Sequence, residues 1–80
     1  MMTFGKAIKE LSLGNKVARS GWNGKGMYLF LITDWSYKDD NAHPFPNLPF
    51  IAMKTADNKV VPWLASQTDM LAFDWEVVNY

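Results

Sequence analysis

The chain has no cysteine and a single histidine, His43, among its 80 residues. The first absence removes disulfides and thiolate metal sites together. The second leaves zinc only one imidazole and a set of carboxylates, a poor ligand set for that ion. We therefore expect no metal and no cofactor. An excess of one charge is also missing, since eight basic and eight acidic side chains cancel. Proteins that grip nucleic-acid polymers by neutralising phosphates show a basic excess, so DNA and RNA are not expected partners. No apolar run approaches the roughly 18 residues of a membrane span. The longest, residues 27–32, has the length of a strand. Lys6 and Lys9 fall on an amphipathic pattern instead of the charged-then-apolar order of a signal peptide. The expectation is an intracellular protein that engages no membrane.

Size sets the next bound. Eighty residues make one domain, spanning 1–80. A core this small rarely supplies more than about 3–5 kcal/mol without disulfides, a metal or oligomerisation. With the first two gone, oligomerisation remains, and an aromatic content of 15% supplies apolar surface for it.

Local patterns read as an α+β fold. Phe4, Ala7, Ile8 and Leu11 recur at helical spacing, with Thr3 placed to cap the start and Gly14 to close the end in the left-handed conformation. Lys16-Val17-Ala18-Arg19 reads as a strand. Met27-Tyr28-Leu29-Phe30-Leu31-Ile32-Thr33 is apolar at both parities, the mark of a central strand covered on both faces, one by the helix and the other by a partner subunit. Residues 34–48 carry closely spaced prolines that obstruct ladder hydrogen bonding, so a long loop is expected. Phe50-Ile51-Ala52-Met53-Lys54 and Lys59-Val60-Val61-Pro62-Trp63 flank the turn residues Ala56-Asp57-Asn58 and form a hairpin. Ser66 and Asp69 resemble a capping box, aspartate replacing the usual glutamate, that opens a short helical turn. Trp75-Glu76-Val77-Val78 closes the sheet. The expected architecture is an N-terminal helix packed on a mainly antiparallel sheet of four or five strands, with a short helical turn before the last strand.

What the chain has in abundance is tryptophan, four in all, set among uncharged hydrogen-bonding groups. These concentrate in Gly21-Trp22-Asn23-Gly24-Lys25-Gly26-Met27 and in Pro62-Trp63-Leu64-Ala65-Ser66-Gln67-Thr68-Asp69-Met70-Leu71. Such a mixture suits a planar, polar small molecule, a nucleotide or a sugar. Together with Met1-Met2-Thr3-Phe4-Gly5-Lys6-Ala7 and Asp74-Trp75, the two stretches resemble the Thoeris anti-defense 2 family of small phage proteins. The match covers most of the chain, the second stretch is its specific part, and residues 36–48 have no counterpart. The resemblance implies binding of cyclic nucleotide immune signals, notably cyclic ADP-ribose isomers, held without being destroyed. It also implies a tetramer with the pocket between subunits, acting in the cytoplasm of an infected bacterial host.

Each candidate site residue has a plainer reading beside the functional one. Asn23-Gly24 alone is simply a turn. A tryptophan, a lysine and two further glycines are not needed for a turn, and they point to Trp22 as a stacking platform with Asn23 and Gly24 against a ligand. Ser66 and the Asp69 carboxylate are accounted for by capping. Gln67 and Thr68 are not, and they stand as polar contacts to ribose or phosphate, with Asp69 beside them in the expected ligand-binding set. Trp63 and Trp75 flank this turn, either as core or as platform. Lys54 and Arg19 are candidate phosphate contacts, though a lysine at a strand end is otherwise solvated. Trp35 and Tyr37 suit a lid or a subunit contact equally.

Catalysis has little to rest on. His43 with Asp39 or Asp40, or Asp69 with Asp74 as a carboxylate pair, is conceivable, but no motif places a nucleophile. The expected protein is a binder and not an enzyme. The other readings are a structural or adaptor oligomer without a ligand, and a small hydrolase of nucleotides or glycans. Light scattering at micromolar concentration is expected to give a mass well above the 9.1 kDa of one chain; a monomer would remove the argument from core size.

Overall fold

The computed structural model describes residues 1–22, 25–34, 36–38, 41 and 44–80, with 36–38 and 44 described by backbone alone. Nine residues, Phe4–Ser12, form helix α1. The Thr3 hydroxyl accepts from the Lys6 N–H at 3.3 Å and satisfies one of the first-turn donors. Gly14, at φ 88°, turns the chain away in the left-handed region. Ala7 and Leu11 are buried, whereas Ile8 sits at the margin of the apolar stripe, 38% exposed.

Five strands follow in the main sheet: β1 (Lys16–Arg19), β2 (Tyr28–Ile32), β5 (Phe50–Lys54), β6 (Val60–Pro62) and β7 (Trp75–Val78). Their order is β6-β5-β2-β1-β7, antiparallel throughout, with β2 at the centre. Val17 stands opposite Leu29, and Arg19 opposite Trp75. Helix α1 lies against β1, β2 and β7. The core between them is Ala7, Leu11, Val17, Leu29 and Trp75. Beyond β7, Met2 exchanges backbone hydrogen bonds with Trp75 at 2.8 and 3.2 Å, so the N-terminus pairs with part of that edge. The β5–β6 turn places Asn58 at φ 64°, a conformation asparagine tolerates. Helix α2 (Gln67–Met70) precedes β7 and opens with a complete capping box. The α+β architecture is as expected.

The 34–48 region is not the expected long loop. Ser36–Lys38 (β3) and Pro44–Pro46 (β4) pair antiparallel in a separate two-stranded sheet, with Tyr37 opposite Phe45. Pro44 and Pro46 are two residues apart, so both nitrogens face the same edge of their strand. Pairing through Phe45 leaves those two nitrogens on the outer edge, where a missing N–H costs no ladder bond. The two sheets share no pairing, and the molecule is elongated, 46 × 26 × 24 Å. Its radius of gyration, 14.0 Å, exceeds the roughly 11.6 Å of a compact chain of this length.

Truncating the centre of this core should be close to lethal for the fold. Leu29 is fully buried, and Leu29→Ala is expected to cost about 2–5 kcal/mol, comparable to the whole stability of so small a domain. Urea denaturation followed by circular dichroism should show the variant largely unfolded at room temperature. A midpoint near that of the unaltered chain would mean that the core lies elsewhere.

Candidate functional site

The two tryptophan-bearing stretches converge on Trp75, whose side chain is wholly buried. Trp22 packs edge-on against it at 5.6 Å between ring centroids and 80° between planes. Trp63 does the same at 5.9 Å and 85°. Phe4 closes the cluster, 5.4 Å from Trp75 and 6.1 Å from Trp63. The Trp75 indole N–H donates to the Asp69 carbonyl at 3.0 Å, which ties α2 to the same ring. Trp22 and Trp63 are both half-buried, part of the core wall and part of the surface. Tight edge-to-face contacts of this kind add about 0.5–1.5 kcal/mol to the burial itself.

A second link joins the stretches through charge. Arg19 reaches from β1 to both: its Nε donates to Asp74 Oδ1 at 2.9 Å and its Nη1 to Asp69 Oδ1 at 3.0 Å. The other oxygen of Asp74 accepts the Gly21 N–H at 3.1 Å and the Ser20 hydroxyl at 3.4 Å. The other oxygen of Asp69 accepts the Ser66 N–H at 3.0 Å and the Ser66 hydroxyl at 2.8 Å. Asp69 therefore caps α2 and binds Arg19 with the same carboxylate. Arg19, a candidate phosphate contact by sequence, sits instead between two acids, and the trio carries a net negative charge.

Gln67 and Thr68 are exposed on α2. The Thr68 hydroxyl lies 2.9 Å from that of Ser66. The Gln67 amide has no hydrogen-bond partner among the described residues. Lys54 does not join this group. Met53 packs on the core and Leu29, its partner in register, is part of it. Lys54 and its partner Tyr28, one position on, therefore point to the opposite face of the sheet. There its ammonium donates to the Gly26 carbonyl at 3.0 Å and lies 5.8 Å from the Tyr28 ring. Lys16 stands over the same ring at 4.8 Å, and Phe30 and Tyr80 flank it. The apolar parity of residues 27–33 marks this second face in the sequence, but nothing there places Lys16 and Lys54 on it.

Asn23, Gly24, Trp35, Asp39, Asp40 and His43 lie outside the described residues, as does the side chain of Tyr37. An open cleft of about 350 Å³ lies between α1 and β7, lined by residues that include Lys6, Glu10 and Glu76. Trp75, core or platform by sequence, borders it, whereas Trp22, Lys54, Trp63, Gln67, Thr68 and Asp69 do not. The Trp22–Trp63–α2 surface is open within one chain, and Leu64, Leu71 and Phe73 near α2 are 90%, 71% and 76% exposed.

A family model for the Thoeris anti-defense 2-like domain matches residues 2–78. The chain belongs to that family. A curated relative, Thoeris anti-defense 2 of Bacillus phage SP01, is 46% identical over 98% of this chain and 96% of its own length. Membership carries a phage anti-defence role. The match runs through both tryptophan-bearing stretches and the Arg19, Asp69 and Asp74 positions alike.

The carboxylates of this family member are tuned by their partners. The Arg19 hydrogen bond holds Asp74 below the ordinary aspartate value of 3.8. Burial pushes Asp69 up, but the Ser66 N–H and hydroxyl, with Arg19, outweigh it and leave Asp69 below 3.8 as well. Hydrogen bonds to Asp74 and then Asp69 raise Arg19, which stays protonated. Asp57 is also held low, chiefly by the Thr55 hydroxyl. A carboxylate with a depressed folded-state pKa binds fewer protons folded than unfolded. Its contribution is complete above the unfolded value and is lost as pH falls through the folded one. The melting temperature should therefore decline below about pH 4, and Asp74→Asn should remove part of that decline. A variant profile as steep as that of the unaltered protein would show that Asp74 is not linked to folding.

Proposed function

We propose that the protein sequesters a nucleotide-derived cyclic signal of the cyclic ADP-ribose isomer class and releases it chemically unchanged. The observation that carries this reading is the convergence of Trp22 and Trp63 on one buried ring beside exposed Gln67 and Thr68. Half-buried indoles offer flat surface held rigidly, and stacking on such surface is worth about 1–3 kcal/mol per base. The adjacent amide and hydroxyl supply donors and acceptors for ribose. Arg19 keeps Asp69 and Asp74 ionised, which leaves neither as a proton donor and favours binding over hydrolysis.

A second copy of the chain completes the pocket in this proposal, and the resemblance to the family points to a tetramer. The exposed area of one chain, 5777 Å², exceeds the roughly 4900 Å² of a compact monomer of this mass. Leu64, Leu71 and Phe73 place apolar surface next to Gln67 and Thr68 for such a partner to cover. The protein would act in the cytoplasm of the infected host, where a soluble signal has to be intercepted.

The decisive experiment incubates the protein with a panel of cyclic ADP-ribose isomers, removes free nucleotide, releases the bound fraction by heat and separates it by chromatography. An intact isomer is expected. A converted product would make the protein an enzyme, and an undepleted panel would leave the adaptor reading. Gln67→Ala combined with Thr68→Ala should weaken binding roughly 5- to 150-fold, the loss of two neutral hydrogen bonds at about 0.5–1.5 kcal/mol each. Because both side chains are exposed, the melting temperature should not move.

A further inference from the structure

The geometry points to a role for Arg19 that its residue type does not suggest: it is a positioning residue that locks the two ligand-facing stretches to each other without touching the ligand. The inference rests on the sequestration reading for what those stretches hold, and on the Arg19 contacts for the lock itself.

Arg19 is anchored in β1, directly opposite Trp75 in β7. From there one planar group spans two separate pieces of chain. On one side Asp74 fastens the turn that leads into Trp22, through the Gly21 N–H and the Ser20 hydroxyl and N–H. On the other, Asp69 fastens the start of α2, through the Ser66 N–H and hydroxyl. The three side chains are largely withdrawn from solvent, at 23%, 14% and 26% exposure for Arg19, Asp69 and Asp74. A guanidinium holds two carboxylates at fixed angles because its donors are coplanar, which a lysine ammonium does not do. A phosphate approaching this group would meet two carboxylates for one cation, so Arg19 is poorly placed to attract an anion. The lock instead sets the separation between Trp22 and the Gln67–Thr68 pair.

The two roles predict opposite signs for one substitution. If Arg19 bound phosphate, Asp74→Asn would free its charge and tighten binding of the cyclic ADP-ribose isomers. As a lock, Asp74→Asn should weaken binding roughly tenfold, Arg19→Gln should do the same, and the double variant should be little worse than either alone. Arg19→Lys should recover part of the loss. Tighter binding by Asp74→Asn, or multiplicative losses in the double variant, would overturn the proposal.

Two further measurements remain decisive if a variant folds poorly or if no isomer binds. In the unmutated protein, the Arg19 Nε–H resonance should keep its position when the bound isomer is added; a shift of the size seen for a phosphate contact would overturn the lock. Without any ligand, the Gly21 and Ser66 amides should lose hydrogen-exchange protection together in Arg19→Lys, while the Leu29 amide keeps its own. Protection unchanged at both, or lost at only one, would overturn it. Failure of every isomer to bind the unmutated protein would count against sequestration and leave the exchange result to judge the lock.

Discussion

The burial of Trp75 is the interaction on which everything else in this chain depends. A tryptophan taken fully out of water removes up to about 250 Å² of surface, worth about 4–6 kcal/mol before entropy is counted. That one side chain therefore rivals the entire stability expected of an 80-residue domain. Its neighbours are arranged accordingly. Phe4 from α1, Trp22 from the β1–β2 loop and Trp63 from the end of β6 each present a ring to it, and Asp69 accepts its only polar hydrogen. Four segments distant in sequence thereby meet at one point. The same ring that holds the fold together also holds the candidate ligand surface in place, so stability and binding cannot be separated at Trp22 or Trp63. They can be separated at Gln67 and Thr68, which contribute nothing to the core.

The sheet has two unlike faces. One carries α1 and the core. The other carries Tyr28, Phe30 and Tyr80 with Lys16 and Lys54, and among the described residues no helix covers it. Lys54, grouped by sequence with the tryptophans, belongs to this second face. Its bond to the Gly26 carbonyl, with Gly26 at φ 77°, fixes the far end of the loop whose near end carries Trp22. The loop is thus held from both sides of the sheet, by an acid–base lock at Gly21 and by an ammonium at Gly26.

Features governed by neighbours in sequence were legible in the residues. The Thr3 cap, the Gly14 reversal and the Ser66–Asp69 capping box all involve partners within a turn, and all stand as read. So do the positions of the main strands along the chain, because each is a short run bounded by turn residues. What escaped was non-local or was judged by composition. The contacts of Arg19 with Asp69 and Asp74 cross 50 and 55 residues, and no spacing rule connects them; a basic side chain near a presumed nucleotide site was read as a phosphate contact. Lys54 was misplaced for a simpler reason, since counting parity from Met53, which packs on the core, assigns it to the other face. In residues 34–48 the close spacing of the prolines reads as an obstacle to a ladder, whereas a two-residue period sets the nitrogens of Pro44 and Pro46 on one edge and leaves the other free to pair.

That period has a consequence for how the projecting hairpin behaves among its own copies. A strand edge normally offers alternating donors and acceptors to any passing extended segment, and a slender two-stranded projection with a bare edge would invite end-to-end accretion. Here the outward positions of β4 are Pro44 and Pro46, which carry carbonyls and no N–H. An incoming strand finds acceptors without donors along β4, so that edge does not extend the ladder, and the free N–H groups of the pair lie along the outer edge of β3. The hairpin is therefore one-sided toward its own copies: a further strand has to arrive beside β3, and two hairpins cannot join through their β4 edges.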